Sequence, residues 1–406
     1  MKFLLSTLLI AAASVTVVAQ DAPADSIKER NDSTGGFVFT DVKVIKTTPV
    51  RDQNRSGTCW CFSTNSFVED EILRMSGKEV DLSEMFTVRH CYQDKADRYV
   101  RLYGDANFAA GGGAIDIPYV WEKYGAVPES AYPGILYGED KHDHSELDAV
   151  LTGYVNAVKS KPGKRLSTVW RKGFAGILDA YLGDYPATFT VDGVSYTPKT
   201  YAASLPYKPE NYIGLTSFTH HPFYQGFALE VPDNWLWEEY MNVPLEDLKA
   251  VVDYAVENGY PVAWGADVSE GGFNWKKGYA VMPKPTDASS LEGTELARWV
   301  KLSDKERKDK QFEIDGPCDE IEVTQESRQE MFDRQETTDD HGMEIVGYAT
   351  DQKGNRYYKV KNSWDTNQVY GGYLYVSEPY FLAKTLDIYV NKEALPKDLR
   401  KKLNIK

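Results

Sequence analysis

Apolar residues recur at helical spacing through the first two thirds of the chain. Beginning at Cys59, the residues Phe62, Phe67, Ile72 and Leu73 can share a buried face as far as about Met75, and Gly77 stands just beyond as a stop. A helix with Cys59 at its N-terminus is therefore expected. Leu147, Val150, Leu151, Tyr154 and Val158 form a second set at this spacing, and Phe174, Ile177, Leu178 and Tyr181 a third. Leu245, Leu248, Val252 and Ala255 form a fourth, opened by Pro244 and closed by Gly259. The densely charged stretches Lys301 to Lys310 and Asp319 to Glu330 read as solvated faces or loops.

The last part of the chain changes period. Ile345 to Ala349, Tyr357 to Lys361, Gly372 to Val376 and Leu386 to Val390 are short runs rich in Tyr and Val, parted by turn residues such as Gly371-Gly372. They predict antiparallel strands and their turns. A helix-rich first part followed by a strand-rich last part argues an α+β fold.

The N-terminus is patterned differently. Lys2 precedes a largely apolar run from Phe3 to Val18, and Val17-Val18-Ala19 puts small residues where a signal peptidase cleaves. Residues 1–19 are thus expected to be a secretory signal peptide, 20–36 a flexible leader, and 37–406 the mature domain. The apolar run falls short of the roughly 20 residues that span a bilayer, so no stable membrane span is expected after cleavage. The chain is then exported, periplasmic or extracellular. Its formal charge of -15 repels phosphate backbones and excludes nucleic acid as a partner. Four cysteines, Cys59, Cys61, Cys91 and Cys318, are too few for a disulfide framework in 406 residues. Cys59-x-Cys61 also lacks the usual spacing of zinc ligands, and no cofactor or metal is expected. His142 and His144 flank Asp143, and His220-His221 precede Pro222; neither pair shows a convincing third ligand.

The segment from Gln53 to Ser63, with Cys59-Trp60 at its centre, carries the most chemistry. A thiol attacks as thiolate, and a helix N-terminus together with a nearby imidazolium favours that anion. Gly57 lets the backbone approach closely just before Cys59, and the Gln53 amide can join the Cys59 N–H in a two-donor oxyanion site. Near the other end, Asp339-Asp340-His341-Gly342-Met343 enters a predicted strand, and Lys361-Asn362-Ser363-Trp364 follows. A general base needs its second ring nitrogen held by an acceptor, which the Asn362 carbonyl supplies without charge. Trp364 can cover that hydrogen bond. Cys61, on another face of the helix, reads as packing.

These three segments, in this order, resemble the papain superfamily of cysteine peptidases. Leu82-Ser83-Glu84, Gly111-Gly112-Gly113 and Tyr124 to Pro133 resemble its bleomycin hydrolase and aminopeptidase C branch more narrowly. The resemblance implies a helical left part and an antiparallel sheet or barrel on the right, with the active-site cleft between them and a large, mainly helical insertion at about 134–260. It implies a nucleophile at Cys59, an oxyanion donor at Gln53, a base at His341 and an orienting amide at Asn362. Gly112 and Gly113 would offer backbone hydrogen bonds to a peptide substrate. Cys91 stands near a cysteine that many such chains pair, but the partner position here is Ser56. Related enzymes are hexameric, so a homo-oligomer is implied as well. An aminopeptidase is expected; because Lys406 stops short of the arm that closes the cleft in that branch, an open-cleft endopeptidase is the alternative. A non-catalytic, papain-like peptide-binding protein is the rival from another class.

Overall fold

The computed structural model describes residues 33–161 and 163–405. The expected signal peptide and most of the leader lie outside the described residues. The first strand among the described residues is β1 (Thr40–Val44), and five α-helices follow it: α1 (Cys59–Ser76), α2 (Glu84–Arg101), α3 (Asp116–Lys123), α4 (Ser145–Lys159) and α5 (Trp170–Leu182). They bury one shared core in which Phe67, Met85, Leu147, Leu151, Phe174 and Leu178 are fully enclosed. The face that α4 presents to this core is narrower than its spacing suggested: Leu147, Leu151 and Val155 are buried, whereas Val150 is exposed.

Next come the hairpin β2 (Phe189–Val191) and β3 (Val194–Tyr196), then α6 (Pro198–Ser204), β4 (Tyr212–Thr216), β5 (Gly226–Ala228), β6 (Glu239–Asn242) and α7 (Leu245–Glu257). After β7 (Val262–Ala266), β8 (Phe273–Asn274) and β9 (Tyr279–Ala280) comes α8 (Gly293–Trp299), and the charged segments fold in part as α9 (Asp304–Gln311) and α10 (Gln325–Asp333). The chain closes with β10 (His341–Thr350), β11 (Arg356–Lys361), β12 (Tyr373–Ser377), α11 (Glu378–Lys384), β13 (Thr385–Asn391) and α12 (Lys397–Lys402).

All four predicted C-terminal runs are strands, but they do not make the sheet alone. Its order is β5-β6-β4-β13-β7-β10-β11-β12-β9-β8, with β1 added beside β10. The region expected as a mainly helical insertion thus supplies β4, β5 and β6 to one edge. Two of the pairings, β4 with β6 and β12 with β9, are parallel. A second core fills the space between sheet and α7, around Leu248, Val252, Trp264, Ile345 and Val360.

α1 lies between the two cores and is buried almost all round, including Glu69, Asp70 and Glu71. Buried carboxylates cost several kcal/mol each unless bonded, so their partners matter. Glu69 accepts the Leu82 N–H (2.7 Å) and the Thr48 hydroxyl (3.1 Å). Asp70 accepts the Thr48 N–H (2.5 Å) and an ion pair from Lys361 Nζ (3.3 Å). Glu71 takes Arg74 (2.6 Å), the Tyr212 hydroxyl (2.7 Å) and Asn391 Nδ2 (2.9 Å). Three consecutive acids therefore tie the helix to its own half of the molecule and to β4, β11 and β13 of the other. Burial and the Asp70 charge hold the Glu344 carboxyl, also beside Lys361, far above the carboxylate range. Replacing Lys361 by Met is expected to cost about 3–5 kcal/mol, because it strands the Asp70 charge. Chemical denaturation of the variant measures this, and a loss under about 1 kcal/mol would contradict the assignment.

Candidate active site

Cys59 is the first residue of α1. Gly57 turns the chain into the helix at φ +66°, a conformation that favours glycine. Ser56 Oγ and Thr58 Oγ1 then hydrogen bond at 2.6 Å, and the Thr58 carbonyl takes the Cys61 N–H at 2.9 Å. No acidic side chain stands in the first turn, so the positive end of the helix is left to act on the thiol.

His341 is the first residue of β10 and pairs across to Ala266 of β7. Its neighbour Gly342 lies against the first turn of α1. A Cβ at that position would lie 2.7 Å from Ser63 Oγ and 3.0 Å from Trp60 Cα, so glycine there lets the strand pack closely on the helix. Cys59 and His341 consequently line one cavity, together with Gly112, Gly113, Asp233, Asp339 and Asp387. The backbone N–H groups of Gly342 and Trp60 donate to the Cys59 sulfur and favour its anion.

Asn362 follows directly on β11. Its Oδ1 lies 2.7 Å from His341 Nε2 and also accepts the Ser363 N–H at 2.8 Å. That second bond fixes the atom as the carbonyl oxygen, so Nε2 carries the hydrogen and Nδ1 is the basic nitrogen. Trp364 lies over the imidazole with ring centroids 4.7 Å apart and shields the bond from water. Gln53 is held by the same segment: its N–H donates to the Ser363 carbonyl (2.8 Å) and its Oε1 accepts the Ser363 hydroxyl (2.7 Å). With Oε1 occupied, Nε2 is the polar atom left to Gln53 for a ligand.

Gly112 and Gly113 both face the cavity but differ. The Gly113 N–H is turned to Asp116 Oδ2 (3.3 Å) and its carbonyl to the Asp116 N–H (3.1 Å). Among the described residues, neither backbone group of Gly112 has a protein partner. Gly112 is therefore the better placed of the two for an extended chain. A Cβ on Gly112 would meet Trp60 at 2.8 Å, which keeps this strip close to the nucleophile.

Burial dominates the acid–base balance. It pushes the Cys59 thiol up to about 11 and the His341 imidazole down to about 4, the Asn362 bond working against the latter shift. Neither group ionises readily alone in this enclosed site. A proton passed from sulfur to imidazole would place both charges within the one cavity that the two residues line.

Other expectations are refined. His142 and His144 are buried and structural; they strap the loop before Cys59 through backbone bonds between Arg55 N–H and the His142 carbonyl (3.0 Å) and between His144 N–H and the Arg55 carbonyl (3.1 Å). The reading that His220-His221 lacks a third group fails. Glu230 lies 3.0 Å from His220 Nε2 and 2.8 Å from His221 Nε2, brought there by the turn into β5 that sequence spacing did not reveal. All four cysteines are free, and Cys61 and Cys91 are enclosed in the helical core. Asp233, Asp339 and Asp387 were not read as site residues. Asp339 stood beside the His341 motif, whereas Asp233 and Asp387 carried no local signal.

Comparison with known proteins agrees with this geometry. A family model described as "Papain family cysteine protease" matches residues 39–167, and one described as "Peptidase C1-like family" matches residues 312–406. Aminopeptidase C of Lactobacillus delbrueckii subsp. lactis is 24% identical, over 95% of this chain and 89% of that protein. Aminopeptidase C of Listeria monocytogenes is 23% identical, over 89% of this chain and 84% of its own length. The crystal structure of PepW from Lactobacillus rhamnosis shares the fold, with a TM-score of 0.67 at 18% identity over 93% of this chain and 86% of that one. With the helix of Cys59, the strand of His341 and the Asn362 amide arranged as above, the chain belongs to the papain superfamily of cysteine peptidases and is similar over most of its length to aminopeptidase C.

Proposed function

We propose that this protein is an aminopeptidase that removes residues from peptides through a covalent thioester on Cys59. The observation that carries the reading is the single cavity lined by Cys59 and His341, with His341 Nε2 held at 2.7 Å by Asn362. His341 Nδ1 takes the thiol proton, and the sulfur attacks the scissile carbonyl carbon. The resulting oxyanion is met by the Cys59 N–H and by Gln53 Nε2, the donors left over by the local hydrogen bonding. Collapse of the tetrahedral intermediate expels the amine, which leaves with the proton from His341. Water, deprotonated by the same imidazole, then hydrolyses the thioester and restores the thiol. Gly112 offers its free backbone groups to the extended substrate. The limitation to the first residue rests on the aminopeptidase C relatives; internal cleavage of blocked peptides would instead favour the endopeptidase mode.

Asn362 acts through His341, so its loss should reduce turnover more than binding. Asn362→Ala is expected to lower kcat about 10- to 100-fold with a smaller change in KM. Steady-state kinetics on one peptide substrate decides this, and an unchanged kcat would overturn the orienting role. A thiol-directed epoxide should add to the protein once, at Cys59, as read by peptide mass spectrometry. Cys59→Ala should neither react nor cleave; a variant that still turns over peptide would end the cysteine-peptidase mechanism.

A further inference from the structure

The cavity that holds Cys59 and His341 is also the place where three carboxylates converge. Asp233, from the loop between β5 and β6, reaches it from the side of the glycine strip. Its Oδ2 lies over Gly111, where a Cβ would stand 1.9 Å away, and Asn107 Nδ2 donates to its Oδ1 at 3.1 Å. Asp339, two residues before His341, accepts the Asp233 N–H at 3.1 Å. Asp387 comes from β13 and lies over Gly265 of β7, where a Cβ would be 2.7 Å from its Oδ2. Two glycines thus clear the space that two of these carboxylates occupy.

Among the described residues no cation forms an ion pair with any of the three. Lys95, whose charge acts on Asp233 without pairing with it, donates to the carbonyls of Ala109 and Gly111. Lys384 is bonded elsewhere, to Glu270 and near Asp267. Asp340, the remaining acid beside His341, has its own donors in Ser269, Thr338 and the Val268 N–H. Asp387 is the telling member: it is 8% exposed, lines the cavity, and has no hydrogen-bond or ion-pair partner among the described residues. An unpaired buried carboxylate costs several kcal/mol, a cost that is offset when a cation docks there.

We propose that Asp233, Asp339 and Asp387 form a cation site beside the nucleophile that takes an ammonium group of the peptide substrate, the inference resting on the peptidase reading above. The α-ammonium of the first residue is the source that an aminopeptidase would present; a lysine side chain one residue before the scissile residue is the other. Burial, with the charges of Asp233 and Asp387, pushes Asp339 up to about 8, and burial pushes Asp387 up to about 7, so in the empty site a proton occupies the place that the ammonium takes. The site then favours substrates whose positive charge lies next to the scissile residue, and an acetyl cap in that place removes the attraction.

Two matched substrate pairs test this on the full-length mature protein. One pair is an aminoacyl anilide with a free amine and its N-acetyl form. The other is an N-acetyl dipeptidyl anilide with either lysine or leucine before the scissile residue. The wild type should prefer the ammonium-bearing member of at least one pair, and the pair that responds identifies the source. In Asp387→Asn, and further in the Asp339→Asn Asp387→Asn double variant, that preference in kcat/KM should fall about 10- to 100-fold, mainly through KM. A preference that is absent in the wild type, or unchanged in the variants, overturns the proposal. Should a variant fold poorly, the wild type alone still decides: a thiol-directed epoxide carrying an ammonium must label Cys59 faster than its acetylated twin, and equal or slower labelling refutes the site. Labelling and cleavage without charge preference would sink this inference and leave the peptidase standing, whereas absence of both would remove the peptidase reading beneath it.

Discussion

The approach of β10 to the first turn of α1, made at Gly342, is the contact on which the site depends. A nucleophile near the beginning of the chain and a base near its end gain nothing from each other unless the strand and the helix touch without an intervening side chain. A Cβ there would stand 2.7 Å from Ser63 Oγ and 3.0 Å from Trp60 Cα, so a side chain would crowd this contact. The acid trio Glu69-Asp70-Glu71 secures the same geometry further along the helix, since its carboxylates reach several neighbouring segments. α1 is therefore fixed in position and in rotation, and Cys59 with it.

Precision at the base follows from one short segment. Asn362 orients His341, Ser363 holds both the backbone and the side chain of Gln53, and Trp364 covers the imidazole. On the proposed mechanism, three roles that serve different steps of acyl transfer fall to consecutive residues after β11. A shift of that turn would disturb base and oxyanion donor together, which makes the segment a unit and not three separable contributions.

Much of this was legible in the chain, for a physical reason. The thiol, the imidazole and the amide each sit in a short motif whose local chemistry is self-explanatory: a helix start, a strand start, a strand end. Helices α1, α4, α5 and α7 follow from apolar spacing and their glycine or proline boundaries. What escaped was non-local. β4, β5 and β6 are three to five residues long and find partners in β13 and in one another, a pairing that no local period announces. The burial of Glu69, Asp70 and Glu71 contradicts their polarity and is paid by donors from Thr48, Lys361 and Asn391, far away in sequence. Glu230 meets His220 and His221 only because the chain turns into β5, and Asp233 and Asp387 meet Asp339 only once helix loop and sheet are assembled.

On the proposed mechanism, His341 makes the Cys59 thiolate available in a site whose burial otherwise opposes it. The pH dependence of Cys59 alkylation by a small neutral reagent, in the wild type and in His341→Ala, measures this directly. Fast reaction near neutrality is expected in the wild type and, in the variant, reaction that rises only toward the buried thiol's own value of about 11. Superimposable profiles for the two proteins would contradict it.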